Sequence, residues 1–196
     1  MDKLISIINS VVQLSEKEWS LIKNSINLIH LNKGDLFVGN ATICNKMGFL
    51  QKGIARVYYI AEGKEYTSYF NTQERNQIIC AFSSFISRKP SYEIIQAITD
   101  CEIFIISYEA LQNLYETSAS FQKLGRLTVE QNYVASIRRI YDYQHKSARD
   151  RYIDLLKKYH SSVNFIPQHY IASYLGITPE SLSRLRKQLV SKGTKK

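Results

Sequence analysis

The chain has 196 residues, and its 26 Lys+Arg against 17 Asp+Glu give a formal charge of +9. With 44% apolar residues, 8 Gly and 3 Pro, it is long enough for one or two domains with a real core, and disordered, collagen-like and low-complexity classes are excluded. No unbroken apolar run approaches the roughly 18 to 20 residues that a membrane-spanning helix needs.

The start, Met1-Asp2-Lys3 followed by Leu4, Ile5, Ile7, Ile8, Val11 and Val12, encloses Asn9 and Ser10 within its apolar stretch and reads as an amphipathic helix, not a signal peptide. Ser15 with Glu18 is an S-x-x-E start signal for a second helix carrying Trp19, Ile22 and Ile26. From Leu28 to about Ser107 the pattern changes to short runs rich in Ile, Val, Tyr, Phe and Thr, broken by glycines, as expected for short antiparallel strands. The clearest unit is a hairpin, Gly53 to Ile60 and Glu65 to Phe70, around Ala61-Glu62-Gly63-Lys64. Several such strands in about 80 residues imply a small sandwich or barrel. Cys44, Cys80 and Cys101 are odd in number and lack a CxxC pair, which points to neither a disulfide framework nor a zinc site and fits a reducing cytoplasm.

After Ser107 the period returns to 3.6, and a stretch of about 25 residues without Pro predicts a long helix. Leu124, Leu127, Gln131, Val134, Arg138 and Tyr141 follow 3-4 spacing along it, with Phe121, Ile137 and Ile140 beside them. This is the pattern of a helix that packs on a barrel and on a copy of itself, or only on its own domain. A further helix is expected over 147–159, then a polar break at Ser161 to Asn164.

The charge is unevenly placed. Residues 1–137 hold 13 basic and 13 acidic side chains, whereas residues 138–196 hold 13 basic against four acidic ones, so the whole excess lies in the last third. A basic module of this kind suits a polyanion, since counterion release drives association with phosphate backbones; the other reading is a solvated basic tail. Gln168 to Leu185 within it reads as helix, tight turn, helix. Ala172 is small where the helices cross, Gly176 supplies a positive φ, and Ile171, Leu175, Ile177, Leu182 and Leu185 form an apolar wedge. Thr178 can cap the second helix ahead of Pro179. The exposed face then offers Glu180, Ser181, Arg184 and Lys187, side chains able to read base edges and grip phosphates.

The order of parts resembles the Crp-Fnr family of bacterial transcription regulators over nearly the whole chain. The matching stretches are Leu31-Asn32-Lys33-Gly34-Asp35-Leu36-Phe37, Leu50 to Tyr59, Glu62-Gly63-Lys64-Glu65, Cys101 to Leu111, and above all Leu175-Gly176-Ile177-Thr178 to Ser183-Arg184. The resemblance implies an α+β chain. Residues 1–115 would form a small antiparallel β-barrel of the cyclic-nucleotide-binding jelly-roll type with flanking helices. Residues 116–145 would form a long dimerisation helix, and residues 146–196 a helix-turn-helix DNA-binding domain. It further implies double-stranded DNA and a second copy of the chain as partners, with RNA polymerase and an unknown small-molecule effector as candidates, and a cytoplasmic protein. Glu180 and Arg184 fall where the family places base contacts and Gln168 near a backbone contact; with Thr178, Ser181 and Lys187 they complete the candidate DNA-binding set. Pro179 replaces an arginine with which cyclic-AMP-responsive members contact a base, so a different DNA sequence is expected.

Cyclic-AMP-binding members carry a Gly-Glu-Leu stretch and an Arg-Ser/Thr-Ala triplet. The corresponding places here hold Cys80-Ala81-Phe82 and Ser91-Tyr92-Glu93, with Arg88 and Lys89 nearby. Burying a cyclic phosphate beside Glu93 without a cation would be costly, so the expected effector is something other than cyclic AMP, or none. An iron–sulfur cluster lacks the closely spaced thiolates it needs, and His30 reads as a surface or strand-end histidine, not a haem ligand. No cofactor, metal site or catalytic residue is assigned. An enzyme on a cupin-like barrel would need a cluster of ligands around His30, the sole histidine before His145. The alternative to the DNA-binding reading is a regulatory or scaffold protein that uses the barrel to bind a partner or small ligand. The family's wing, a β-hairpin after the second helix, has no counterpart in Ser191 to Lys196, where a basic tail stands instead.

Overall fold

Short runs of β-branched and aromatic residues, each closed by a glycine or polar turn, form eight strands in the computed structural model, which describes residues 1–193. Two helices precede them, α1 (Asp2–Val11) and α2 (Glu16–Ser25). The strands are β1 (Ile26–Leu31), β2 (Leu36–Val38), β3 (Lys46–Lys52), β4 (Ile54–Ala61), β5 (Lys64–Thr72), β6 (Ile78–Ile79), β7 (Ile94–Ala97) and β8 (Cys101–Ser107), with helix α3 (Phe82–Ser87) between β6 and β7. All pairings are antiparallel, in two four-stranded sheets of order β1-β8-β3-β6 and β2-β7-β4-β5. The expected β4–β5 hairpin turns at Glu62 and Gly63, both with positive φ (51° and 71°), the backbone that a two-residue hairpin turn demands. Sequence reading missed α3, because Phe82-Ser-Ser-Phe-Ile-Ser is too short to show a helical period and its first turn has no side-chain cap.

Leu50, Val57, Ile79, Ile95 and Ile103 fill the space between the sheets and are 0% exposed. Along β4 the side chains alternate, yet all of Ile54 to Tyr58 are buried. Ala55 and Val57 point into this core, whereas Ile54 belongs to a second core on the outer face of the sheet. A strand covered on both faces needs a layer of structure on each side. The C-terminal helices supply that layer.

Those helices are α4 (Tyr108–Thr117), α5 (Ala119–His145), α6 (Ala148–Lys158), a 3-10 turn (Val163–Phe165), α7 (Gln168–Leu175) and α8 (Pro179–Gly193). Serines start three of them: the Ser107, Ser118 and Ser147 hydroxyls each accept a first-turn N–H at 3.1 Å. Ser15 and Glu18 form the expected capping box on α2. The Ser118 hydroxyl also donates to Glu18, and this bond, with those from Ser15, holds the Glu18 carboxyl down at about 2. A third core, of Ile8, Val12, Ile22, Leu114 and Phe121, joins α1, α2, α4 and the start of α5.

The exposed apolar stripe of the long helix keeps part of the 3-4 seam and is centred to one side of it. Of the seam residues Leu124 packs in the third core, Gln131 and Arg138 are polar, and Val134 (64% exposed) and Tyr141 (58%) join Tyr133 (67%), Ile137 (48%) and Ile140 (54%) in the open apolar stripe. At 3.6 residues per turn the stripe is rotated by roughly a quarter turn from the predicted seam. The tertiary packing of Phe121 and Leu124 sets the helix's rotation, and spacing alone cannot see it. Among the described residues no helix is long and apolar enough to cross a membrane.

Candidate functional site

The helical pair α7 and α8 is built as its residues dictate. Gly176 ends α7 with φ +66° and ψ 34°, and its N–H reaches back to α7. A Cβ there would meet the Tyr143 hydroxyl at 2.9 Å, so both the backbone and the neighbour require glycine. Thr178 caps α8: its hydroxyl accepts from the Ser181 N–H at 3.2 Å and its carbonyl from Leu182 at 3.0 Å. Ile171, Ala172, Leu175 and Leu182 are at most 1% exposed, with Ile177, Leu185 and Leu189 packed around them.

On α8, Glu180, Arg184 and Lys187 lie within one outward quadrant at helical spacing, opposite Leu182, Leu185 and Leu189, and all three are exposed. Ser181 flanks them and accepts from Arg184 Nη2 at 3.3 Å. The Glu180 carboxyl is held below its usual range by its own backbone N–H at the helix start and by the Thr178 hydroxyl, so it folds back over the first turn. Gln168, exposed, opens α7 on the other helix. Of the stretch expected as a basic tail, Ser191 to Gly193 lies within α8, and residues 194–196 lie outside the described residues.

Sequence reasoning missed how the pair is fastened to the barrel. Ser173 on α7 acts as a bridge to β5, accepting from the Thr67 N–H and donating to the Glu65 carbonyl, both at 2.9 Å. The Tyr159 hydroxyl, at the end of α6, donates to the Phe70 carbonyl at 3.2 Å and accepts from Asn76 at 3.1 Å. Between them sits Arg56, 1% exposed, with its guanidinium 3.8 Å from the ring centre of Tyr58 on the barrel and 3.6 Å from that of Tyr170 on α7. Its Nη2 donates to Glu65 at 2.7 Å and Gln96 at 3.1 Å. The available signal was an arginine inside the otherwise apolar run Ile54-Ala55-Arg56-Val57-Tyr58. Arg151 fixes the other end of the pair, donating to the carbonyls of Tyr143 (3.0 Å), Lys146 (2.6 Å) and Leu175 (2.7 Å).

A cleft of about 850 Å3 lies between β5, α5 and α7, with Tyr69, Glu93, Arg139 and Ser173 on its walls. Arg88 does not face it. That side chain donates to the Cys44 carbonyl (3.0 Å) and to Asn45, and lies 3.9 Å from the ring centre of Tyr108. Ser91 is occupied by its own loop, bonding both backbone groups of Glu93. Cys80 and Ala81, which stand in the places of Gly and Glu of the Gly-Glu-Leu stretch, are 0% exposed, and the three cysteines are free and buried. A hydrogen bond from Cys80 brings the Cys44 thiol down to about 7, while Cys80 itself is pushed above its ordinary range. Among the described residues no group of three or more His, Cys, Asp and Glu could hold a metal ion.

Burial raises the Glu93 carboxyl above its ordinary value of 4.5, opposed by Arg139 on α5; Tyr69 on β5 and Cys80 are its other titratable neighbours. The folded chain therefore binds a proton at Glu93 that the unfolded chain has released, and stability falls as pH rises from about 4.5 through the raised value. Glu93→Gln, which has no charge to desolvate, is expected to raise the melting temperature at neutral pH, with the gain vanishing below about pH 4.5. Thermal melts across pH check this, and a gain independent of pH would refute it.

Residues 28–118 match the cyclic nucleotide-binding domain. Among solved structures the chain is similar to a Crp/Fnr-family regulator from Eubacterium rectale (TM-score 0.71, 21% identity, covering 92% of this chain and 85% of that one). FixK2 from Bradyrhizobium japonicum gives 0.70 at 17% identity, covering 86% of each chain. CooA from Carboxydothermus hydrogenoformans gives 0.68 at 20%, covering 92% and 82%. No curated protein matches at the sequence level. The fold is that of the Crp-Fnr regulators. The resemblance drawn from sequence thus holds for the fold, with the cyclic-nucleotide-binding barrel ahead of the long helix α5 as that family orders them. Arg88 in this Crp-Fnr fold is spent on the barrel's own backbone.

Proposed function

We propose that the chain is a homodimeric, sequence-specific DNA-binding transcription regulator, not an enzyme, in which α7 and α8 form the helix-turn-helix. The observation that carries the reading is the exposed face of α8, where Glu180, Arg184 and Lys187 stand together on a capped, firmly held helix within the basic third of the chain. The open apolar stripe of α5 supports pairing with a second copy. Gln168, Thr178 and Ser181 act beside the α8 face as contacts to the DNA backbone and groove. RNA polymerase is a further partner in this reading, and the protein works in the cytoplasm.

Fluorescence anisotropy on a pool of duplexes, including the gene's own upstream DNA, tests it at several salt concentrations with non-specific competitor. The expected result is binding that weakens steeply with salt yet survives competitor on a subset of duplexes. Arg184→Ala is expected to cost about 1 to 3 kcal/mol on that subset while leaving weak non-specific binding nearly unchanged. An equal loss on every sequence would remove Arg184 from base reading. Absence of binding at low salt would move the function to the barrel, as a scaffold or ligand-binding protein.

The effector in this reading is not cyclic AMP. Glu93 borders the space a cyclic phosphate would enter; of the guanidiniums nearby, that of Arg139 already offsets the Glu93 carboxylate and stacks on Tyr69 at 4.4 Å, and that of Arg88 is committed to the Cys44 carbonyl. A ligand bound only by the folded chain must raise its melting temperature. Cyclic AMP is accordingly expected to leave the melting temperature unchanged, and a saturable rise at micromolar nucleotide would overturn this assignment.

A further inference from the structure

A second cavity, of about 200 Å3 and partly open to solvent, lies against the outer face of the other sheet, lined from α1, α2, β1, β3, β6, β8, α4 and the first half of α5. Its walls are Ile8, Val11, Phe49, Phe104, Leu124 and Leu127, and not one Lys, Arg, Asp, Glu or His lines it. Polar groups enter from the α4–α5 side alone. There the Thr128 hydroxyl is spent on the Leu124 carbonyl at 2.8 Å, and the Asn132 amide donates to the Thr128 carbonyl at 3.4 Å. The Tyr115 hydroxyl lies over Gly125, where a Cβ would come within 2.4 Å of it, and has no hydrogen-bond partner among the described residues. Burial also raises its pKa, as for a phenol kept in its donor form.

We propose that this cavity binds a small neutral molecule, ring-shaped or branched, of about eight heavy atoms, with one acceptor for the Tyr115 hydroxyl. The proposal does not depend on the DNA-binding reading. Size follows from volume: an apolar cavity of about 150 Å3 accepts benzene, so one a third larger takes a ring with one or two substituents and is too small for a membrane lipid chain. Neutrality follows from the lining, since an ion would lose its hydration with no counter-charge in reach. The single acceptor follows from the Tyr115 hydroxyl, on a partly buried ring, whose donor no other group of the described residues takes up. Entry runs past α1, a 10-residue helix whose polar ties to the barrel are the Met1 amino group to Gln51 at 3.4 Å and Lys3 to the Gln73 carbonyl.

The test uses the full chain with p-cresol, toluene and benzoate as probes, read by melting temperature and ligand-observed NMR. Expected is a saturable rise with p-cresol, a weaker one with toluene and none with benzoate. Tyr115→Phe should weaken p-cresol about tenfold, toward toluene, while leaving toluene unchanged. Ile7→Trp, which fills the cavity from α1, should abolish both. Benzoate binding as well as p-cresol, no saturable response to either neutral probe at millimolar concentration, or indifference of p-cresol to Tyr115→Phe would each overturn the proposal. A stabilisation that follows protein concentration and not probe concentration would give the cavity to a second copy of the chain and also overturn it. Should Ile7→Trp fail to fold, Tyr115→Phe with the three probes still decides.

Discussion

Replacing Ile137 and Ile140 together by glutamate is expected to convert the proposed dimer to a monomer and to remove specific DNA binding with it. Each buried isoleucine side chain contributes about 1.5 to 3 kcal/mol, so four in a two-fold interface contribute about 6 to 12 kcal/mol. A nanomolar dimer is held by about 12 kcal/mol, so the loss is comparable to the whole association energy before four carboxylates are brought face to face. The residues are 48% and 54% exposed in the single chain, so the substitution leaves its own cores untouched. Sedimentation velocity reads the outcome, with Gln131→Glu, a third to a half turn away from these two residues on the same helix, as the variant expected to stay dimeric. A double variant that remains dimeric at micromolar concentration would remove α5 from the interface.

The second large effect is expected at Arg56. Truncation to alanine empties the slot between Tyr58 and Tyr170 and ends two desolvated cation–π contacts, each worth up to about 2 kcal/mol. With the hole left behind, the cost should reach about 3 to 5 kcal/mol, a severe loss for one substitution. Methionine should behave differently. Arg56 Nε and Nη1 are buried without a partner, and a methionine removes those two unmet donors while keeping most of the volume. Its ion-pair partner Glu65 is 47% exposed and returns to water when the pair is lost. Arg56→Met should therefore fall within about 1 kcal/mol of the parent in denaturant titrations. A methionine variant as damaged as the alanine one would show that charge, not packing, holds the seam.

Arg56 also marks the limit of what could be read from the residues in order. The hairpin, the capping box at Ser15 and Glu18, the cap at Thr178 and the positive φ of Gly176 were all legible, because each is decided within four or five neighbours. The α8 face was legible too, since helical spacing alone gathers Glu180, Arg184 and Lys187. What escaped was long-range. The Ser173 bridge spans more than a hundred residues of sequence, and the outward face of α5 depends on which side Phe121 and Leu124 bury. Sequence places Arg88 only near the Ser91-Tyr92-Glu93 stretch, and the fold shows its guanidinium turned to the Cys44 carbonyl and not into the barrel cleft.

The Ser173 bridge makes α7 in effect an added edge of the barrel. Because both hydrogen bonds run to the backbone of β5, α7 cannot pivot about a flexible tether; it travels wherever the sheet travels. In a two-fold pair the distance and twist between the two α8 helices would then be fixed by the barrels and α5, as in a caliper with locked jaws. One base pair inserted between half-sites turns one of them by about 35° around the duplex axis. A tethered reader could absorb that turn, whereas a locked one must break Ser173 away from β5 or release one half-site. The spacing of the DNA target would thus be set by the protein's stiffness as strictly as its sequence is set by α8.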